Sequence, residues 1–222
     1  MIARRFRGPQ SSGNGGYAAG LLASFLDGAA EVTLRLPPPL ERALTVERRG
    51  DVTLLLDDAN VVAEAVPAEV VLEAPAPPSL EEAALASARY APIGPETFRG
   101  CFSCGAIREE GDGLRILPGR VEGRELVAAP WVAQEPSLPV VWAAIDCSGA
   151  YAVAEEGRGD AVLGRMAARI DRLPLDGERC VVVGWPRGED GRKLHAGTAL
   201  HSEAGELLAV ARQTWIAPRQ AT

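Results

Sequence analysis

The segment SGNGGYAA at residues 12–19 returns in outline as DCSGAYAV at residues 146–153, and each leads through small residues and a tyrosine into an apolar stretch. Two further pairs of segments keep the same spacing. PLERALTV begins 22 residues after Tyr17, and PLDGERCVV begins 23 residues after Tyr151. TLLLDDANVVA at 53–63 and TALHSEAGELLA at 198–209 both read as a strand, a polar turn and a returning strand. This spacing predicts two similar halves.

Each half combines one helix with several strands. Tyr17, Leu21 and Phe25 recur at helical spacing, which predicts a helix of about three turns that starts near Asn14. Strands are predicted at 32–36, 44–48, 52–56 and 61–65. The second half is predicted to have strands near 114–117 and 125–129, a helix from about Ser148, and strands near 166–170, 180–185, 197–201 and 207–215. The fold class is therefore α+β.

A proline-rich connector separates the halves. Ser79 followed by Glu82 is a capping-box pattern, so the connector is expected to hold one short helix. We therefore divide the chain into an N-terminal half at 1–66, a connector at 67–98 and a C-terminal half at 99–222. An open sheet wrapped around one helix exposes an edge, and pairing the two halves edge to edge would cover it.

Composition limits the classes of partner. The chain has 222 residues, 47% of them hydrophobic and 24% charged, as in soluble globular proteins. The net charge of −7 gives no overall attraction to nucleic acid or to anionic membranes. No stretch approaches the ~18 apolar residues of a membrane span. We expect a cytoplasmic protein; an N-terminal signal peptide is the less favoured alternative, because GNGG at 13–16 interrupts the arginine-then-apolar order.

A strand, a central helix and a run of antiparallel strands, present twice, resemble the double-hotdog fold of the acyl-CoA thioesterase II type. GGYAA at 15–19 is similar to the glycine-rich start of that family's first central helix, and VERRG at 46–50 is similar to its strand and turn. The resemblance implies a tandem hotdog, with two antiparallel sheets that each wrap a central helix. It also implies a homo-oligomer, a dimer.

Two positions match the family's catalytic residues by type. AAID at 143–146 stands where the family has its catalytic aspartate, and LAVARQ at 208–213 stands where it has a catalytic glutamine. The resemblance therefore implies that Asp146 and Gln213 act on an acyl thioester such as acyl-CoA, without a cofactor. The family's third residue, a threonine or serine, would fall at 162–165, where this chain has no hydroxyl. A non-catalytic acyl-thioester binding or regulatory protein stays open as an alternative, and a hydratase or dehydratase on the same fold is a minor one.

Thioester hydrolysis needs a positioned water, a base and donors for the developing oxyanion. Asp146 can be the base and Gln213 can orient the water, while backbone N–H groups at a helix N-terminus can bind the oxyanion. The substrate-binding candidates, which cap or open such helix ends, are Asn14, Gly15, Gly16, Ser148 and Gly149. The structural alternatives are a helix-start aspartate that the dipole favours and a buried polar strand residue.

The cysteines are expected to be buried, reduced thiols. Cys101 and Cys104 form one C-x-x-C pair, but zinc needs further ligands and no second pair follows. His195 and His201 lie six positions apart on a predicted strand, which is not a chelating spacing on a helix. Cys147 is adjacent to Asp146, and adjacent side chains rarely converge. No metal site is therefore expected.

Overall fold

A computed structural model describes residues 1–94, 96–154 and 160–219 of the chain. In the N-terminal half, α1 (Gly15–Ala23) begins after Asn14, whose side chain accepts a 2.7 Å hydrogen bond from the Tyr17 N–H. The strands that follow are β1 (Ala30–Leu34), β2 (Thr45–Arg49), β3 (Val52–Asp57) and β4 (Asn60–Pro67). The predicted helix and all four strands are confirmed, with ends displaced by one or two residues.

The connector contains α2 (Leu80–Ser87), which starts with the predicted capping box. The Ser79 hydroxyl accepts a bond from the Glu82 N–H, and the Glu82 carboxylate accepts one from the Ser79 N–H. Both bonds satisfy donors that a helix start otherwise leaves unpaired. The prediction of one short helix here is confirmed.

The C-terminal half contributes two helices and six strands. They are β5 (Gly119–Arg120), β6 (Val127–Val132), α3 (Leu138–Ala144), α4 (Cys147–Val153), β7 (Val162–Ile170), β8 (Arg179–Asp190), β9 (Lys193–Ser202) and β10 (Leu207–Ile216). The strand predicted near 114–117 is wrong. The N–H groups of Leu114 and Ile116 donate instead to the carbonyls of Phe102 and Ser103, so this segment holds the C-x-x-C loop and is not part of the sheet.

The strands form one antiparallel sheet of ten, in the order β2-β3-β4-β1-β7-β10-β9-β8-β6-β5. The two halves join where β1 pairs with β7, with Val32 opposite Met166 and Thr33 opposite Arg165. The resemblance implied two sheets, and the expected edge-to-edge pairing of the halves joins them into one continuous sheet. Pairing β1 with β7 satisfies backbone groups that would otherwise be exposed along an edge of each half.

The helices lie close together against this sheet. A Cβ on Gly20 of α1 would lie 2.6 Å from Cβ of Trp142 in α3, so α1 and α3 approach at the distance that only glycine permits. Trp142 is one of the largest fully buried side chains. This packing brings the start of α1 beside the break between α3 and α4. Across the described residues, no helix combines the length and apolarity that a bilayer crossing needs.

Candidate active site

Asp146 lies at the break between α3 and α4, and only 2% of its surface is exposed. Its Oδ2 accepts two hydrogen bonds from the start of α1: one from Nδ2 of Asn14 at 2.8 Å and one from the Gly16 N–H at 3.0 Å. Its Oδ1 is buried and has no hydrogen-bond partner among the described residues. One oxygen is therefore fixed by two donors, and the other keeps unused capacity to accept a hydrogen bond.

Burial raises the pKa of Asp146 to about 7, because water no longer stabilises the charged form. The nearby Cys101 thiolate raises this pKa further. The two hydrogen bonds from Gly16 and Asn14 oppose the shift by stabilising the carboxylate. The desolvation effect is the larger of the two.

Gly16 permits the contact between α1 and Asp146. A Cβ at Gly16 would lie 2.5 Å from Cβ of Asp146 and 2.7 Å from the carbonyl oxygen of Trp142. Any other residue would push the helix start away and lengthen the bond from the Gly16 N–H to the carboxylate. The glycine predicted to allow close approach of a substrate thus allows close approach of the catalytic candidate instead.

A cavity of about 200 Å³ opens beside Asp146. Asn14, Gly15 and Asp146 line it, together with apolar side chains that include Leu34, Leu163 and Trp215. The Gly15 N–H has no hydrogen-bond acceptor among the described residues. The cavity therefore combines a mainly apolar wall with a carboxylate oxygen and a backbone donor.

Gln213 lies on β10 and is buried behind this cavity. Its Nε2 donates to the main-chain carbonyls of Ile145 at 2.7 Å and Asp146 at 3.2 Å, and its Oε1 accepts a 2.8 Å bond from Nε1 of Trp215. The two matched residues therefore meet through the backbone of Asp146 and not through its carboxylate. Both ends of the Gln213 amide already have protein partners.

Ser148 and Gly149 follow Asp146 in α4 and are buried. Neither is among the described residues that line the cavity. A Cβ on Gly149 would lie 1.7 Å from Oε1 of Gln213, so this glycine makes room for the glutamine. Of the five substrate-binding candidates, Asn14 and Gly15 line the cavity. Gly16 contacts Asp146 instead.

A hydroxyl does approach Gln213, but it comes from β9 and not from 162–165 in β7, where the resemblance places the family's hydroxyl. Oγ1 of Thr198 on β9 lies 3.3 Å from Nε2 of Gln213 and is fully buried. The residue of β7 nearest this amide is Met166, whose sulfur lies 3.8 Å from Nε2. Because β9 and β7 flank β10 on opposite sides, only the strand pairing reveals this neighbour.

Three cysteines meet at the same cavity. The sulfur atoms of Cys101, Cys104 and Cys147 all lie within 4.8 Å of one another, and all three residues are buried. Hydrogen bonds from the Cys104 and Cys147 thiols hold the pKa of Cys101 well below its usual value. Donating to Cys101 raises the pKa values of Cys104 and Cys147. Sequence spacing could not place Cys147 beside the C-x-x-C pair, because the three meet only through the tertiary fold.

Two tyrosines close the side of the cavity next to this cluster. The Tyr151 hydroxyl donates a 2.8 Å bond to the Tyr90 hydroxyl, which donates to the Cys104 carbonyl at 3.2 Å. Burial raises the pKa of Tyr90 to about 12, so it stays protonated near neutral pH. Tyr90 comes from the connector and Tyr151 from α4. The connector is therefore part of the cavity wall.

No protein family model matches the chain, and no curated protein matches it in sequence. Solved structures do. A proposed thioesterase from Novosphingobium aromaticivorans has a TM-score of 0.66 and 12% identity, over 98% of this chain and 94% of that one. A hotdog-fold protein from Alicyclobacillus acidocaldarius has a TM-score of 0.59 and 11% identity, over 99% of this chain and 92% of that one. An acyl-CoA thioesterase II from Mycobacterium marinum has a TM-score of 0.55 and 11% identity, over 93% of this chain and 90% of that one.

These matches span nearly the whole of each chain, so the likeness covers both halves and the connector. At these identities it concerns the fold and not the chemistry. The predicted hotdog fold is confirmed at this level, since the chain shares its fold with these solved structures.

Proposed function

We propose that the protein hydrolyses an acyl thioester such as an acyl-CoA, with Asp146 as the residue that activates water. The observation that carries this proposal is the state of the Asp146 carboxylate. Oδ2 is fixed by Asn14 and Gly16, while Oδ1 is buried without a protein partner beside an apolar cavity. A general base needs such a fixed orientation and one free oxygen within reach of the water.

The reaction follows from these positions. A water bonded to Oδ1 attacks the thioester carbonyl carbon, and Asp146 accepts its proton as the new C–O bond forms. The Gly15 N–H is the donor available to the developing oxyanion. The C–S bond then breaks, and the leaving thiolate takes the proton from Asp146, which gives a carboxylic acid and a free thiol and restores the carboxylate. Gln213 acts as a positioning residue, because its amide bonds the carbonyls on either side of the α3–α4 break.

The cavity suits an acyl-CoA in two respects. Its apolar wall, which includes Leu34 and Leu163, fits an acyl chain. Arg35 and Arg99 also line it, and each side chain is about half exposed, at 51% and 52%. Guanidinium groups at a cavity mouth can pair with the phosphates of coenzyme A. The acyl-CoA thioesterase II from Mycobacterium marinum, whose fold this chain shares, supports the same class of substrate.

Release of free thiol from acyl-CoAs of several chain lengths tests the proposal. We expect Asp146→Asn to lower kcat by about 10²–10⁴-fold, the usual contribution of general base catalysis. Asp51→Asn, in an exposed turn, is the matched control and should retain full activity. Equal rates for Asp146→Asn and wild type, or no release from any acyl-CoA, would contradict hydrolysis.

A non-catalytic acyl-thioester binding protein is the second candidate. It is favoured by Gln213, whose amide is occupied by protein partners at both ends and so has no free group for a water. Thermal stabilisation by acyl-CoA without thiol release would support this second function. Stabilisation accompanied by release would support the first.

A further inference from the structure

We infer that Cys101, Cys104 and Cys147 bind one zinc ion, with its fourth coordination position facing the cavity. The three sulfurs lie within 4.8 Å of one another, and those of Cys101 and Cys147 are 3.7 Å apart. With Zn–S bonds of about 2.3 Å, two sulfurs of a tetrahedral site are separated by about 3.8 Å. The pair separation is thus already that of a zinc site.

The C-x-x-C loop has the backbone geometry that such a site needs. The Gly105 N–H donates to the Cys101 carbonyl at 2.9 Å, which closes a tight turn around the two sulfurs. A Cβ on Gly105 would lie 2.4 Å from that carbonyl oxygen, so the turn requires glycine.

Neighbouring segments hold this loop in place before any ion binds. The Phe102 N–H donates to the Arg7 carbonyl at 2.7 Å, and the Ile116 N–H donates to the Ser103 carbonyl at 2.9 Å. Cys147 is the first residue of α4, whose start is fixed by the bonds from Gln213 to the carbonyls of Ile145 and Asp146. The three ligands are therefore preorganised, which reduces the entropic cost of binding.

The surroundings can also balance the charge. Three thiolates and one Zn²⁺ leave a net charge of −1. Nδ2 of Asn14 lies 3.6 Å from the Cys101 sulfur and can donate to it, and Nε of Arg108, whose side chain is 1% exposed, donates a 2.9 Å hydrogen bond to the carbonyl of Gly100, the residue before Cys101. Such partners of a ligand tune the affinity of a metal site.

Three protein ligands with a fourth position open to a cavity are typical of zinc sites that bind a water or a substrate. All three cysteines line the cavity next to Asp146, which gives the ion a route in. Because thiolates are soft ligands, zinc is favoured over magnesium or calcium. The expectation of no metal site, which rested on the missing second pair, is revised by Cys147.

Metal analysis of the intact, reduced protein tests this inference without reference to catalysis. We expect one zinc per chain after dialysis, and cobalt substitution should give an intense thiolate-to-cobalt charge-transfer band with the visible spectrum of a tetrahedral ion. Loss of a residue that only orients a metal ligand weakens metal binding by about 10–100-fold. We expect a larger loss of zinc affinity in each of the ligand variants Cys101→Ser, Cys104→Ser and Cys147→Ser. Cys180→Ser is the matched control, since Cys180 is buried on β8 and outside the cluster.

A second measurement needs no variant and so does not depend on how the serine substitutions fold. Zinc should protect Cys101, Cys104 and Cys147 of the wild-type protein from alkylation, as read by mass spectrometry, and a chelator should remove that protection. Failure of the reduced protein to bind zinc, a cobalt complex without thiolate charge transfer, or an equal loss of affinity in Cys180→Ser would overturn the inference. An iron–sulfur spectrum in the purified protein would also overturn it.

Discussion

Nδ2 of Asn14 donates a 2.8 Å hydrogen bond to Oδ2 of Asp146 across 132 positions of the chain. One residue caps the helix of the N-terminal half, and the other stands at the helix break of the C-terminal half. Neither residue alone forms a site. Both residues line one cavity, which exists because β1 and β7 join the two halves in one sheet.

Asn14→Ala should destabilise the protein more than removal of a helix cap alone. The substitution removes the cap of α1, worth about 1 kcal/mol, and a donor to a buried carboxyl group, worth about 1.5–3 kcal/mol when that group is charged. We expect a total loss of about 2 kcal/mol or more, measured by urea denaturation. Ser79→Ala, which removes the cap of α2 far from the site, is the control and should lose about 1 kcal/mol. Equal losses would show that the bond to Asp146 adds no stability.

Gly16→Ala should lower both stability and activity. Its Cβ would lie 2.5 Å from Cβ of Asp146, and overpacking of this kind costs about 1–3 kcal/mol. The helix start must move, and the bond from the Gly16 N–H to the carboxylate lengthens. Gly15→Ala is the control for stability, because the nearest atoms to its Cβ would be side-chain atoms of Leu34 and Leu163 at 3.2–3.3 Å, well beyond the 2.5 Å approach at Gly16. The close approach would be refuted by a Gly16→Ala protein as stable as Gly15→Ala.

Gln213→Leu should destabilise the α3–α4 break. It leaves the carbonyl of Ile145 and the Nε1 donor of Trp215 without their bonds to Gln213, and each buried unsatisfied group costs about 1–3 kcal/mol. The Asp146 carbonyl keeps its 3.1 Å bond from the Gly149 N–H. Gln213→Glu should be no better, since it keeps an acceptor for Trp215 but presents an oxygen to two carbonyl oxygens.

Gln134→Leu, at an exposed position, is the control for the Gln213 variants and should change the free energy of unfolding little. Crystal structures or NMR shifts of α4 would report the displacement directly. Unchanged stability in both Gln213 variants would contradict its role as a positioning residue.

Glu178 should titrate far below an ordinary glutamate. Hydrogen bonds from Arg172 hold the pKa of Glu178 at about 2 in the folded state, against 4.5 for a free side chain. A lowered folded pKa gives stability that is complete above about pH 4.5 and is lost as the pH falls towards 2. Arg172→Gln should return the pKa of Glu178 towards 4.5. NMR titration of the Glu178 carboxyl group measures this change.

Arg169→Gln is the matched control for this titration, because Arg169 pairs with Asp171. It should leave Glu178 unchanged. A wild-type Glu178 that titrates near 4.5 would disprove the pairing in solution.

The local elements were predictable from periodicity. Tyr17 and Leu21 predict α1, and alternating apolar residues predict most strands. The α3 helix was missed because LPVVWAA at 138–144 is short, has a proline at its second position and includes two β-branched residues, a pattern that does not separate helix from strand. The edge-to-edge pairing of the halves was expected only in outline, because the register of β1 against β7 depends on long-range packing and leaves no local sequence signal.

The site was predictable residue by residue but not as a geometry. Asp146 and Asn14 were chosen for their chemistry and position, yet only the fold shows that they bond to each other. Gln213 was placed on the correct strand, but its partners are backbone carbonyls that no side-chain pattern identifies. Cys147 was set aside because it adjoins Asp146, whereas the helix start brings both residues to one cavity.

The two halves belong to one chain and meet at the β1–β7 junction, and the site is consequently asymmetric. In an assembly of identical chains, every substitution appears on both sides of a shared site. Here Asn14 can change without a matching change at Asp146 or Cys147. The N-terminal half can therefore change how Asn14 caps α1 and orients the carboxylate, while the C-terminal half keeps Asp146 and the three cysteines.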